Sequence, residues 1–113
     1  MRIAVSYDNG AVCGKFADSK AFKLYDTMGS EVVFTQDAIP TCTGVNALSG
    51  FLADQQVTCL ICGEIGPDGE TAMDDWGIQL YGGCSGSAED RVRDLLDDKL
   101  TPTNKTVRGR HHL

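Results

Sequence analysis

Val57-Thr58-Cys59-Leu60-Ile61-Cys62, running into Gly63-Glu64-Ile65-Gly66-Pro67-Asp68, decides the fold. The first of these runs shows no polar alternation and stops at a glycine, so it reads as a central strand buried on both faces. Gly66-Pro67-Asp68 then opens a short helix carrying Ala72, Met73 and Trp76, which Gly77 stops. Ile78-Gln79-Leu80-Tyr81 is a further short strand, ended by Gly82-Gly83. Strand–helix–strand crossovers imply a parallel sheet with helices on its faces. Ligands of such sheets sit at the carboxyl ends of the strands.

Upstream, a helix is expected from Gly44 to Gln55, with Val45, Leu48, Phe51 and Leu52 as its buried stripe and Thr43 as its cap. Residues 21–27 and 31–35 read as a β-hairpin turning at Met28-Gly29-Ser30. Residues 2–7 form a first strand that ends at the turn signal Asp8-Asn9-Gly10. Downstream, Ser87 caps a last helix whose Glu89 and Asp90 suit a positive N-terminus. Val92, Leu95, Leu96 and Leu100 recur there at helical spacing. Beyond Thr101-Pro102 the chain is polar and basic, which divides it into one domain, 1–100, and a flexible tail, 101–113. His111-His112 fits a native end and an expression remnant equally well.

At 113 residues the chain supports a single core, and 42% apolar with 23% charged residues is globular composition. No run approaches the ~18–20 apolar residues that span a bilayer. The first residues meet an acid at Asp8 before any long apolar stretch, unlike a signal peptide, so a cytoplasmic location and no membrane partner are expected. The net charge is −6; removing the +3 of Lys105, Arg108 and Arg110 leaves −9 on residues 1–100. Such a body repels phosphate backbones and argues against nucleic acid. Five cysteines, an odd number, argue against a disulfide framework and for reduced thiols.

Four motifs carry a resemblance: Met1-Arg2-Ile3-Ala4-Val5 with Cys13-Gly14, Ala21-Phe22-Lys23-Leu24-Tyr25-Asp26, Leu60-Ile61-Cys62-Gly63-Glu64-Ile65-Gly66, and Gly77-Ile78-Gln79-Leu80-Tyr81-Gly82-Gly83. In order and spacing, over residues 1–100, the chain resembles the nitrogenase iron–molybdenum cofactor biosynthesis family. This is the NifX-like domain, also found at the C-terminus of NifB and in small proteins of anaerobes. The resemblance implies a ribonuclease-H-like, three-layer α/β/α fold with a mixed five-stranded sheet whose second strand is antiparallel. It also implies a non-catalytic carrier of an iron–sulfur or molybdenum-containing cluster, with cluster donor and acceptor proteins as partners. The sequence departs from relatives after Gly14: Lys15 stands at the usual histidine, Ser19 where some relatives carry cysteine, and no histidine lies near Val45. Lysine keeps a positive charge for an anionic cluster but does not ligate softly as imidazole does.

The thiols offer a substitute. Cys13, Cys42, Cys62 and Cys84 each follow or close one of the parallel strands, so all four are expected along one edge of the sheet. Cys59 and Cys62 are three apart on a strand and therefore face opposite ways, which makes their Cys-x-x-Cys spacing a false redox lead. The expected metal ligands are Cys13, Cys42 and Cys84; Lys15, Cys62, Gly63 and Gly83 complete the cofactor-binding set. Thiolates favour Fe–S, Cu(I) or Zn, and glycine turns at helix starts offer backbone N–H groups to an anion. The plain alternative is that the buried thiols are core hydrophobes and the glycines only make tight turns. Two other functions compete. Asp8, Glu64 and Asp68 suit a Mg²⁺-dependent phosphoryl-transfer enzyme, and Trp76 with Tyr81 suits a docking module without cofactor.

Overall fold

The computed structural model describes residues 1–104. Strands β1 (Arg2–Asp8), β2 (Ala11–Val12), β3 (Phe22–Met28), β4 (Glu31–Ala38), β5 (Cys59–Ile61) and β6 (Gln79–Tyr81) alternate in part with helices α1 (Val45–Asp54), α2 (Pro67–Trp76) and α3 (Ala88–Leu96). A single 3₁₀ turn, Phe16–Asp18, follows β2. The sheet order is β4-β3-β1-β5-β6, with β2 paired to β1. β5 runs parallel to β1 and β6, whereas β3 is antiparallel to both β1 and β4.

The sheet has six strands rather than the expected five. The addition is β2, which pairs Tyr7 with Val12 and Asp8 with Ala11 across Asn9-Gly10. Both turn residues have positive φ, 50° and 89°, the geometry for which Asn-Gly is the strongest short hairpin signal. The β3–β4 hairpin forms at Gly29-Ser30, with Gly29 at φ 62°.

β5 shows why its sequence lacks alternation. Leu60 and Cys62 point to a core shared with α1 and α2, while Cys59 and Ile61 point to one shared with α3. Leu48, Leu52 and Met73 cover the first face; Ala88 and Val92 cover the second. Fully burying each Leu or Met contributes about 1.5–3 kcal/mol. Cys59 and Cys62 thus face opposite layers, as their spacing requires.

Helix ends follow the sequence with three corrections. Ser87 caps α3, its hydroxyl accepting from Asp90 N–H, and Gly77 closes α2 at φ 73°. The α1 cap, however, is Gly44 and not Thr43, because Gly44 adopts φ 94° and supplies the carbonyl that accepts from Leu48. Leu100 lies beyond α3, which ends once Asp98 turns left-handed at φ 64°, yet it still packs on the α3 core. Finally, Thr103 and Asn104, assigned by sequence to the flexible tail, are fastened to β6. Thr103 N–H donates to Leu80 O, and the Asn104 amide accepts from Leu80 N–H at 3.1 Å and donates to Ile78 O at 2.9 Å. The basic residues Lys105, Arg108 and Arg110 lie outside the described residues, as does His111-His112. Asn104→Ala is expected to cost about 2 kcal/mol, read as a lower urea midpoint, because it strands two buried main-chain groups. No helix among the described residues is long and apolar enough to cross a membrane.

Candidate functional site

The carboxyl ends of β1, β5 and β6 meet in three loops zipped together by main-chain bonds. Glu64 N–H donates to Gly14 O at 2.8 Å and Phe16 N–H to Glu64 O at 2.9 Å. Gly83 N–H donates to Gly63 O at 2.8 Å and Cys84 N–H to Cys62 O at 2.9 Å. Gly63 is the pivot of this zipper. A methyl at its Cα would stand 2.5 Å from the Cys13 carbonyl oxygen and closer still to that of Gly14. Glycine is therefore required here by close approach of two backbones.

Phe16 anchors the first loop. It is fully buried, its ring 6.2 Å from that of Phe22. Ser19, at the position where some relatives carry cysteine, is buried and structural: its hydroxyl donates to Phe16 O at 2.6 Å and pairs with the Ser6 hydroxyl at 2.6 Å. With Phe16 and Ser19 turned inward, Lys15, Asp18 and Lys20 are turned outward. They border an open cleft of about 470 Å³ whose other walls are Tyr7, Asp8, Cys13 and Gly14. Lys20, Asp18 and Tyr7 were not among the site residues read from sequence. The available signal was the lone Phe16 in a polar loop, which marks an anchor and hence exposes its neighbours.

The other expected site residues fall around this cleft unequally. Cys13 is half-buried and its thiol contacts Lys15 O at 3.4 Å. Cys62 is fully buried behind it, and its thiol is pushed up to about 12, first by burial and then by Cys84 and Cys13. Cys84 packs on the α3 layer, its thiol 3.5 Å from Tyr81 O and also raised, chiefly by burial. Cys42 packs on the opposite layer, against the α1–α2 core, in the segment that leads from β4 into α1. Among the described residues, no three His, Cys, Asp or Glu side chains gather closely enough to hold a metal ion. That applies to Cys13, Cys42 and Cys84, and equally to Asp8, Glu64 and Asp68. Trp76 is exposed at the end of α2, and Tyr81 is buried in the α3 core.

Cys62 is fully buried and its side chain fills the α1–α2 core. The same burial acts on two phenols. Tyr25 and Tyr81 are each pushed up to about 12, by burial first, then by Glu89 for Tyr25 and by Cys59 for Tyr81. An unfolded chain releases these protons nearer 9 for the thiol and 10 for the phenols. Above those values it binds fewer protons than the folded chain, so stability falls as pH rises. The urea midpoint is expected to drop between pH 9 and 12 together with a delayed tyrosinate absorbance; an unchanged midpoint over that window would contradict this packing.

The fold has relatives among solved structures. The crystal structure of PH0822 superposes with a TM-score of 0.80 at 22% identity, covering 94% of this chain and 99% of that one. The apo form of the orange protein from Desulfovibrio gigas gives 0.78 at 22% identity, covering 90% and 92%. The mj0327 protein of Methanocaldococcus jannaschii gives 0.73 at 20% identity, covering 92% and 96%. No curated protein sequence matches the chain. Residues 1–98 match the family model described as dinitrogenase iron-molybdenum cofactor. With nearly its whole folded domain matched, the chain belongs to the dinitrogenase iron-molybdenum cofactor family.

Proposed function

We propose that this chain binds and passes on an anionic metal–sulfur cluster, iron–sulfur or molybdenum-containing, and that it carries the cluster without turning over a substrate. The observation behind this reading is the 470 Å³ cleft at the carboxyl end of β1, which the half-buried Cys13 lines together with Lys15 and Lys20. A soft sulfur and two lysine ammonium groups in one open cleft suit a sulfide-rich anion, with Asp8 and Asp18 on the same walls offsetting part of that attraction. Family membership supports the same direction.

The chemistry of the cleft shapes how the cargo is held. One thiol cannot build the thiolate cage that retains a structural metal. Charge from Lys15 and Lys20 and a single soft contact at Cys13 fit a cluster that is held and then released, whereas the Gly83 N–H is already taken by Gly63 O and neither Gly63 nor Gly83 lines the cleft. Cys84 adjoins Cys62 in the neighbouring loop and is the next thiol available; Cys42 would join only by moving off the α1–α2 core. Donor and acceptor proteins of the cluster are the partners this role requires, and the cytoplasm is the compartment where the thiols stay reduced. We read the sheet order, with helices on both faces, as the ribonuclease-H-like arrangement.

The test is anaerobic reconstitution with iron and sulfide, or with thiomolybdate and copper, followed by absorption spectra and metal counts. Wild type is expected to take up cluster, and Cys13→Ser to retain less of the anion, its spectrum keeping the sulfide-to-metal bands and losing only the cysteine thiolate contribution. Uptake unchanged in Cys13→Ser, and again when Cys42 and Cys84 are also replaced, would rule out thiol participation.

A further inference from the structure

The sheet has two edges, and one of them is closed. At β6 the outer bonding positions are taken by Thr103 and Asn104. At β4 every residue from Glu31 to Asp37 is exposed, with Val33 at 59% and Phe34 at 56%. Edge strands are ordinarily shielded by shortness, lysine or proline. β4 has eight residues and neither lysine nor proline; its one such device is a bulge at Val33, the residue skipped between the Phe34–Asp26 and Val32–Thr27 pairs, which leaves the stretch from Phe34 to Asp37 regularly paired and exposed on its outer side.

Behind this edge a groove of about 280 Å³ lies between β4 and α3, lined by Tyr25, Val32, Thr35, Glu89, Val92 and Arg93. Tyr25 is 2% exposed and its hydroxyl has no hydrogen-bond partner. Tyr25 and Glu89 both contribute to the groove wall. An open strand beside a helix, with an unused donor in the trough between them, is the arrangement by which a sheet accepts an added strand.

We propose that β4 and this groove dock an extended, cationic segment of a partner protein. Main-chain bonds join the segment to β4. An apolar side chain enters between Val32 and Val92, and an acceptor meets the Tyr25 hydroxyl. Charge selects the occupant. β4 carries Glu31 and Asp37 and no base, and the chain is −6 overall. A second copy paired through β4 would bring those carboxylates together twice over without a cation, whereas lysine or arginine in the added strand neutralises them. The two charged groups on the groove wall are already paired, Glu89 with Lys23 at 3.7 Å and Arg93 with Asp97 at 3.7 Å, which leaves the β4 acids to set the preference.

The experiment uses the full chain and two capped hexapeptides, Lys-Val-Thr-Val-Lys-Val and Glu-Val-Thr-Val-Glu-Val, with amide exchange read by NMR. The basic peptide at saturation is expected to slow exchange at residues 31–37 by about tenfold or more, and the acidic one to leave it unchanged. The doubly exposed variant E31K/D37K should reverse that preference while folding normally. Three results would each overturn the proposal: no β4 protection by either peptide, equal protection by both, or protection that grows with protein concentration alone, the mark of a second copy.

Discussion

Gly63→Ala is expected to destabilise the protein by more than about 3 kcal/mol, one of the larger effects any single methyl can have here. The added carbon has no side chain to displace. It meets two main-chain carbonyls, those of Cys13 and Gly14, at 2.5 Å or less. Relief requires moving the loop after β2 away from the loop after β5, which breaks the bond from Glu64 N–H to Gly14 O. Stability and site are therefore coupled at this residue: the variant loses cluster uptake even where enough of it stays folded to assay. Gly14→Ala is the matched control, since a methyl there meets nothing within 4 Å and the backbone is not left-handed. It should change stability by no more than about 0.5–1 kcal/mol. Equal urea midpoints for the two variants would contradict the close approach.

Reversing both cleft lysines, Lys15→Glu with Lys20→Glu, is expected to weaken binding of tetrathiomolybdate by about a hundredfold or more. Each reversal changes the local charge by two, and a unit charge a few ångströms from a dianion at a protein surface is worth about 1 kcal/mol or more. Asp8 and Asp18 line the same cleft and oppose the lysines. Their replacement, Asp8→Asn with Asp18→Asn, should act in the other direction and tighten binding by about tenfold, and added salt should weaken the wild type. All four side chains are exposed, so circular dichroism should report an unchanged fold. Visible absorption titration reads the affinity. Equal affinity in the lysine variant would remove the cleft as the seat of the anion.

Gly63→Ala tests the backbone geometry that builds the loops, and the lysine pair tests the charge those loops display.

Much of the fold was legible before any coordinates. Unbroken apolarity at Leu60-Ile61-Cys62 marked a strand covered on both sides, and three-residue spacing put Cys59 and Cys62 on opposite layers. Ser87 and Gly77 ended helices by local hydrogen bonding and left-handed backbone, which depend on a few neighbouring residues. The added strand β2 was also within reach, because Asn9-Gly10 specifies a two-residue hairpin. The site was less legible. Lys20 and Ser19 are adjacent and polar, yet one borders the cleft and the other is sealed against Ser6. Nothing local distinguishes them; the direction of Phe16 into the core does.

By itself, then, the sequence determined an α/β domain with parallel crossovers, the strands' burial, most helix ends, and a family. Period, turn chemistry and capping are short-range properties, and they survive in a linear reading. Only the tertiary structure decided which strand ends are neighbours. Cys42 follows β4 as surely as Cys13 follows the β1–β2 hairpin, but β4 lies at the outside of the sheet, and Cys42 and Cys84 settle on opposite layers. Strand order and the approach of Gly63 to Gly14 are set by contacts between residues far apart in sequence, and those contacts made Cys13, Lys15 and Lys20 the cleft.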